Sequence, residues 1–116
     1  MKRLLAALSA SVLTTACFTA VSSVSADAQS VYSVIGSNSG GAHLRSAPST
    51  AGYSIAYFGN GQRLWMICWV DGQTVSPPSA DYTSSRWFLV DSVDPNGFRG
   101  YIHSSLVDNQ RSAPHC

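Results

Sequence analysis

The chain has 116 residues, with seven Lys and Arg against six Asp and Glu, a formal net charge of +1. A near-neutral balance without basic clusters excludes the electrostatic footprint of a nucleic-acid binder or of a protein held to a membrane by charge. Three Trp, five Tyr, four Phe and three Cys make rings and thiols, and not charge, the informative residues.

Lys2 and Arg3 precede an uncharged run of apolar and small residues from Leu4 to Val21, then Ser22-Ser23-Val24-Ser25-Ala26-Asp27-Ala28. A basic start, an apolar middle and a small-residue end are the parts of a secretory signal peptide. Residues 1–28 are therefore expected to be removed, with cleavage after Ala26 or Ala28. A buried N-terminal helix fits the basic start and the Ala-ended close less well. A lipobox at Leu13-Thr14-Thr15-Ala16-Cys17 would want an apolar residue at Thr14, and the apolar run continues past Cys17 through Phe18 and Val21. No later apolar stretch is long enough to span a bilayer. What remains, residues 29–116, is expected to be one exported soluble domain of about 90 residues, monomeric and free of the membrane after cleavage.

Short β-prone runs follow one another through this domain. Val31 to Ile35 is the first, and Gly36-Ser37-Asn38-Ser39-Gly40-Gly41 is a flexible loop. Ala42 to Arg45 is the second, stopped at Pro48, which fixes its own φ and drives Ala47 into extended space. Leu44 is the only large apolar residue between Ile35 and Tyr53 and is the expected core anchor. Tyr53 to Phe58 is the third, with Gly59-Asn60-Gly61 read as a tight hairpin.

Gln62 to Val70 is the longest candidate. Leu64, Met66, Cys68 and Val70 share one parity and Trp65, Ile67 and Trp69 the other, so periodicity alone leaves the inward face open. Asp71-Gly72 is a second hairpin signal before Gln73-Thr74-Val75. Ser76 to Ser85, with two prolines, is the one long irregular stretch. Trp87 to Val90 reads as a buried strand, Asp94-Pro95-Asn96-Gly97 as a turn and Phe98 to His103 as another strand. Ser104 to Val107 closes the fold and Asn109 to Pro114 is a polar tail. Close turns and no helical periodicity argue for a small all-β barrel or sandwich.

Cys17 falls within the presumed signal peptide. Cys68 and Cys116 remain, an even pair in an exported chain, which reads as one disulfide.

Arg45-Ser46-Ala47-Pro48-Ser49-Thr50 resembles the "L-N-V-R-S-G-P-S-T" opening of bacterial SH3-like (SH3b) domains. Trp87-Phe88-Leu89-Val90 resembles their "W-x-x-V" strand, and Gly100-Tyr101-Ile102-His103-Ser104-Ser105-Leu106-Val107 their closing "G-W/Y-V-x-x-S-Y-L/V". Cys68 to Val75 with a terminal Cys resembles a secreted subgroup that bears one such domain after a signal peptide. The resemblance spans Val31 to Cys116. It implies a small SH3-like β-barrel of five to seven short strands closed by one disulfide. Its V-x-V strand pattern implies that Leu64 and Met66 point inward and that Trp65 and Trp69 lie on the outer face. It also implies a non-catalytic binding module for cell-wall peptide or another extended peptide, secreted or held at the cell wall.

Other chemistries carry weaker signals. Cys68 with a histidine would make a nucleophile only as a free thiol, and no G-x-S-x-G elbow accompanies the many serines. His43, His103 and His115 lack paired metal-ligand spacing and read as surface histidines. No cofactor and no metal are expected, and an enzyme is the third hypothesis after a binding module and an envelope structural or interaction protein, inhibitor or effector with a protein partner. Eleven of the twelve rings follow residue 28, more than a barrel this small can bury. Tyr53, Tyr57, Trp65 and Tyr101 are the expected ligand contacts. For Trp69, packing under the loop and tail weighs as much as ligand contact.

Overall fold

A computed structural model describes residues 31–116. The signal-peptide reading, its cleavage sites and Cys17 lie outside the described residues. Seven strands form in chain order: β1 (Ser33–Ile35), β2 (Gly41–Arg45), β3 (Ser54–Gly59), β4 (Arg63–Val75), β5 (Ser84–Ser92), β6 (Arg99–His103) and β7 (Val107–Asp108). One 3-10 turn, Ser104–Leu106, joins the last two. All strand pairs are antiparallel, in the order β3-β2-β6-β5-β4-β1-β7, and the sheet curls into a half-barrel. The all-β class, the strand number and the single disulfide are as expected.

Alternation along the strands gives this sheet two unlike faces. Ile35, Leu44, Leu64, Val90 and Ile102 point to the concave side and are at most 1% exposed. Ala42, Met66, Phe88 and Val107 complete that core. Leu64 and Met66 therefore face inward as expected, and Leu44 anchors β2.

Trp69 does not follow the expected parity. Met66 pairs with Val90 but Cys68 pairs with Leu89, so Ile67 is an extra residue on β4. That β-bulge resets the alternation and turns Trp69 to the Phe88 side, where it packs on the core. The Arg86 guanidinium stacks over its ring at 4.0 Å and the His115 ring meets it edge-on at 4.3 Å. Trp69 therefore packs on the core instead of standing on the outer face. Trp65, before the bulge, keeps the outer parity and is half-exposed.

Neither predicted hairpin on the flanks of β4 forms. β2, β6 and β5 stand between β3 and β4, so Gly59-Asn60-Gly61 redirects the chain without pairing its neighbours. Asn60 serves a non-local contact instead: its side chain accepts from the Ser37 amide at 2.8 Å and donates to the Ser37 carbonyl at 2.9 Å. Asp71-Gly72 lies inside β4, at a second register shift against β5. Any Cβ on Gly72 would meet the Pro48 carbonyl and the Trp87 ring, so glycine serves close packing here, and the Gln73 amide donates to that carbonyl at 3.0 Å.

The Cys68–Cys116 disulfide closes a separation of 48 residues. It holds the tail along β4, where the Trp69 amide donates to the Pro114 carbonyl at 2.9 Å and the Cys116 amide donates to the Trp69 carbonyl at 2.8 Å. Ser33, fully buried in β1, donates to the Asn109 carbonyl and accepts from the Arg111 amide, tying the first strand to the same tail.

Candidate functional site: a charged cavity on the outer face

The convex face carries its own small cluster. Val75, Ala80 and Trp87 are buried there, with Val70 and Tyr101 packed against them. The far part of β4 and the irregular stretch after it fold over this side of the sheet. Pro77 and Pro78, joined by a cis peptide bond, belong to this overhang. Between the overhang and β2 lies a cavity of about 480 Å³. That volume falls within the range of small-ligand sites.

Its floor and walls are set by backbone register. Trp87 on β5 contributes the deepest ring, 2% exposed, with its indole N–H donating to the Gln73 carbonyl at 2.9 Å. Tyr57 on β3 pairs with His43 on β2, ring centroids 4.7 Å apart, and both rings line the cavity. A side chain on Gly41 would collide with the Tyr57 ring and the Phe58 carbonyl, so glycine at this position lets the tyrosine lie across β2.

Charge enters at two points, the end of β2 and the overhang. Arg45 ends β2, and its Nη1 donates to the carbonyls of Gly52 at 2.9 Å and Thr50 at 3.4 Å. Asp81 lines the overhang, where both of its carboxylate oxygens accept from the Asn38 amide at 3.2 and 3.1 Å. Among the described residues neither has an ionic partner, since the salt bridge found there joins Arg99 to Asp91 at 2.8 Å elsewhere on the convex side.

His103 is not the surface histidine expected from the sequence. It is 3% exposed, its ring packs edge-on against Trp87 at 5.2 Å, and it also lines the cavity. Nε2 lies 2.7 Å from the Ser84 carbonyl, which can only accept, so the ring hydrogen is on Nε2. Nδ1 then accepts from the Ser105 hydroxyl at 2.8 Å, and that hydroxyl oxygen accepts from the Asp81 amide at 3.0 Å. The histidine–serine pair thus nails the overhang to the end of β6. Its chemistry is committed to holding the wall in place.

Of the four expected contacts, only Tyr57 reaches the cavity. Tyr53, 73% exposed, stands on the loop before β3, and Tyr101 packs beside Trp87 without lining the cavity. Trp65 meets Tyr32 edge-on at 6.1 Å, and the Tyr32 ring lies under Arg63 at 5.1 Å, a separate aromatic patch. Arg45, Asp81, Trp87 and His103 line the cavity as well, without being among the expected contacts. The one available signal was the long Ser76 to Ser85 stretch, because long irregular loops in small domains tend to carry function. Compared with known proteins, the chain matches no family model, no curated protein and no solved structure.

Proposed function

We propose that this chain is a secreted, monomeric, non-catalytic binding module of the bacterial SH3-like type, which takes cell-wall peptide or another extended peptide in the cavity on its convex face. The observation that carries this reading is the cavity itself: rings and prolines between the sheet and its overhang, flanked by two charged groups that have no ionic partner among the described residues. Extended peptides suit such a slot, because aromatic walls grip their apolar parts while a few fixed polar groups set orientation. The disulfide supports export, since such bonds persist in oxidising compartments, and the basic-apolar-small start of the chain supports the same route. The commitment of His103 and Ser105 to each other and to backbone groups supports a binding role over a hydrolytic one.

The exposed Trp65 ring, backed by Tyr32, favours one second reading, an envelope or effector protein that docks a protein partner there. Retention of the mature protein on purified sacculi, with and without competing muropeptides, separates the two. Under the first reading sacculi retain it, muropeptides release it, and Tyr57→Ala weakens retention while Trp65→Ala does not. Absence of retention overturns the cell-wall assignment, and loss with Trp65→Ala alone overturns the cavity as the binding site.

A further inference from the structure

The two unpaired charges lie at opposite ends of one strand. Asp81 is held by Asn38, in the loop that leads into β2, whereas Arg45 is the last residue of β2. The four residue steps from Gly41 to Arg45 cover about 13 Å at the usual rise of a strand. Tyr57, His43 and Trp87 line the same cavity as the two charges.

Both charges are fixed before any ligand arrives. Arg45 spends Nη1 on the loop carbonyls, and its Nε and Nη2 hydrogens have no acceptor among the described residues. That free edge is the fork that grips a carboxylate with two parallel hydrogen bonds. Asp81 is located by its own amide on Ser105 and by the Asn38 amide on its carboxylate, which leaves lone pairs for a cationic donor.

From this layout we infer that the cavity reads a short zwitterionic peptide lying extended and parallel to β2, its ammonium group on Asp81 and its carboxylate on Arg45. About four extended residues, at 3.3–3.6 Å each, run the length of β2. This deepens the proposed peptide-binding role and rests on it. Both ends are recognised at once, so the site measures length as well as charge.

Tetra-alanine is the probe, with free ends, with the N-terminus acetylated, with the C-terminus amidated and with both ends blocked. Binding to the mature protein is followed through the Trp87 indole N–H resonance, whose donor lies at the cavity floor. Each single block is expected to weaken binding about tenfold, the worth of one charge-assisted contact. In Arg45→Gln the amidation penalty should vanish while the acetylation penalty stays, and in Asp81→Asn the reverse should hold. Arg45→Lys, which keeps the charge without the fork, should leave part of the amidation penalty. Should Arg45→Gln loosen the neighbouring loop, that partial penalty still reports on the carboxylate contact.

Equal binding of the doubly blocked and free peptides overturns the inference, as do penalties that fail to track these two residues or a Trp87 signal that no peptide moves. Sacculus retention without any dependence on peptide ends would remove the zwitterion reading and leave the binding module standing. The crossed pattern without sacculus retention would remove the cell-wall assignment and leave the zwitterion site.

Discussion

The two faces of the same seven-stranded sheet are built to different rules. On the concave face Leu44, Leu64, Val90 and Ile102 are completely buried, and the two serines that share their side, Ser33 and Ser92, are each bonded to backbone. On the convex face the buried residues are mixed: Trp87 and Val75 lie beside His103, Ser104 and Ser105, each at most 6% exposed. Every buried polar side-chain atom among the described residues has a partner. The first face supplies stability by removing carbon from water, and the second spends hydrogen bonds to hold a loop open over a cavity. A small domain can carry a cavity this way, because the core that folds it is not the face that lines the cavity.

The covalent clasp tests whether that division depends on the tail, and it carries the largest expected effect. For a loop closed over 48 residues, chain entropy puts the disulfide at about 4 kcal/mol. Cys116→Ser, or reduction of the wild type, should lower unfolding free energy by about that amount in urea titrations. A loss near zero would mean that the Trp69–His115 contact and the backbone bonds of the tail hold it without the bridge.

The sharpest contrast comes from two adjacent residues on opposite faces. Ile102→Ala opens a cavity in the concave core and should cost about 3 kcal/mol, with tetra-alanine binding unchanged in the folded fraction. His103→Leu leaves the Ser84 carbonyl and Ser105 without their ring partner and should cost about 1–2 kcal/mol. It should also weaken peptide binding, because the Asp81 wall is held through Ser105. If Ile102→Ala disturbs binding as much as His103→Leu does, the two faces are not independent.

The smallest effect concerns the Asp91–Arg99 pair on β5 and β6. Two hydrogen bonds from the Arg99 guanidinium hold the Asp91 carboxyl below its ordinary range, and raise Arg99 above its own. A carboxyl depressed in the folded state contributes stability above its unfolded value, and that contribution is lost as pH falls through the folded one. Arg99→Gln should therefore lower Tm slightly at neutral pH, and the gap to wild type should close as pH drops below about 4. Arg99 is exposed and Asp91 partly so, and the difference stays small. A gap that persists at pH 2 would point to packing instead of charge.

What the chain declares locally, it declares well. Pro48 stops β2, and Asp94 caps its own turn by accepting from the Asn96 and Gly97 amides at 2.8 and 2.7 Å. Leu44 is the only large apolar residue between Ile35 and Tyr53 and points inward, the strand pattern of the resemblance gives Leu64 and Met66, and the count of cysteines after residue 28 pairs Cys68 with Cys116. Each of these depends on one residue's geometry, on a period of two or on simple elimination. The remaining features needed distant partners. The Ile67 bulge that turns Trp69 inward exists only relative to β5, and Asn60 and Gly72 follow contacts with Ser37 and Pro48 that outweigh their turn preferences. The cavity is the extreme case, for its two charges stand 36 positions apart in sequence. Residue types and spacing determined an all-β chain with one clasp. Only tertiary packing decided which charges meet a common space, because no local preference encodes where an overhanging loop comes down on a sheet.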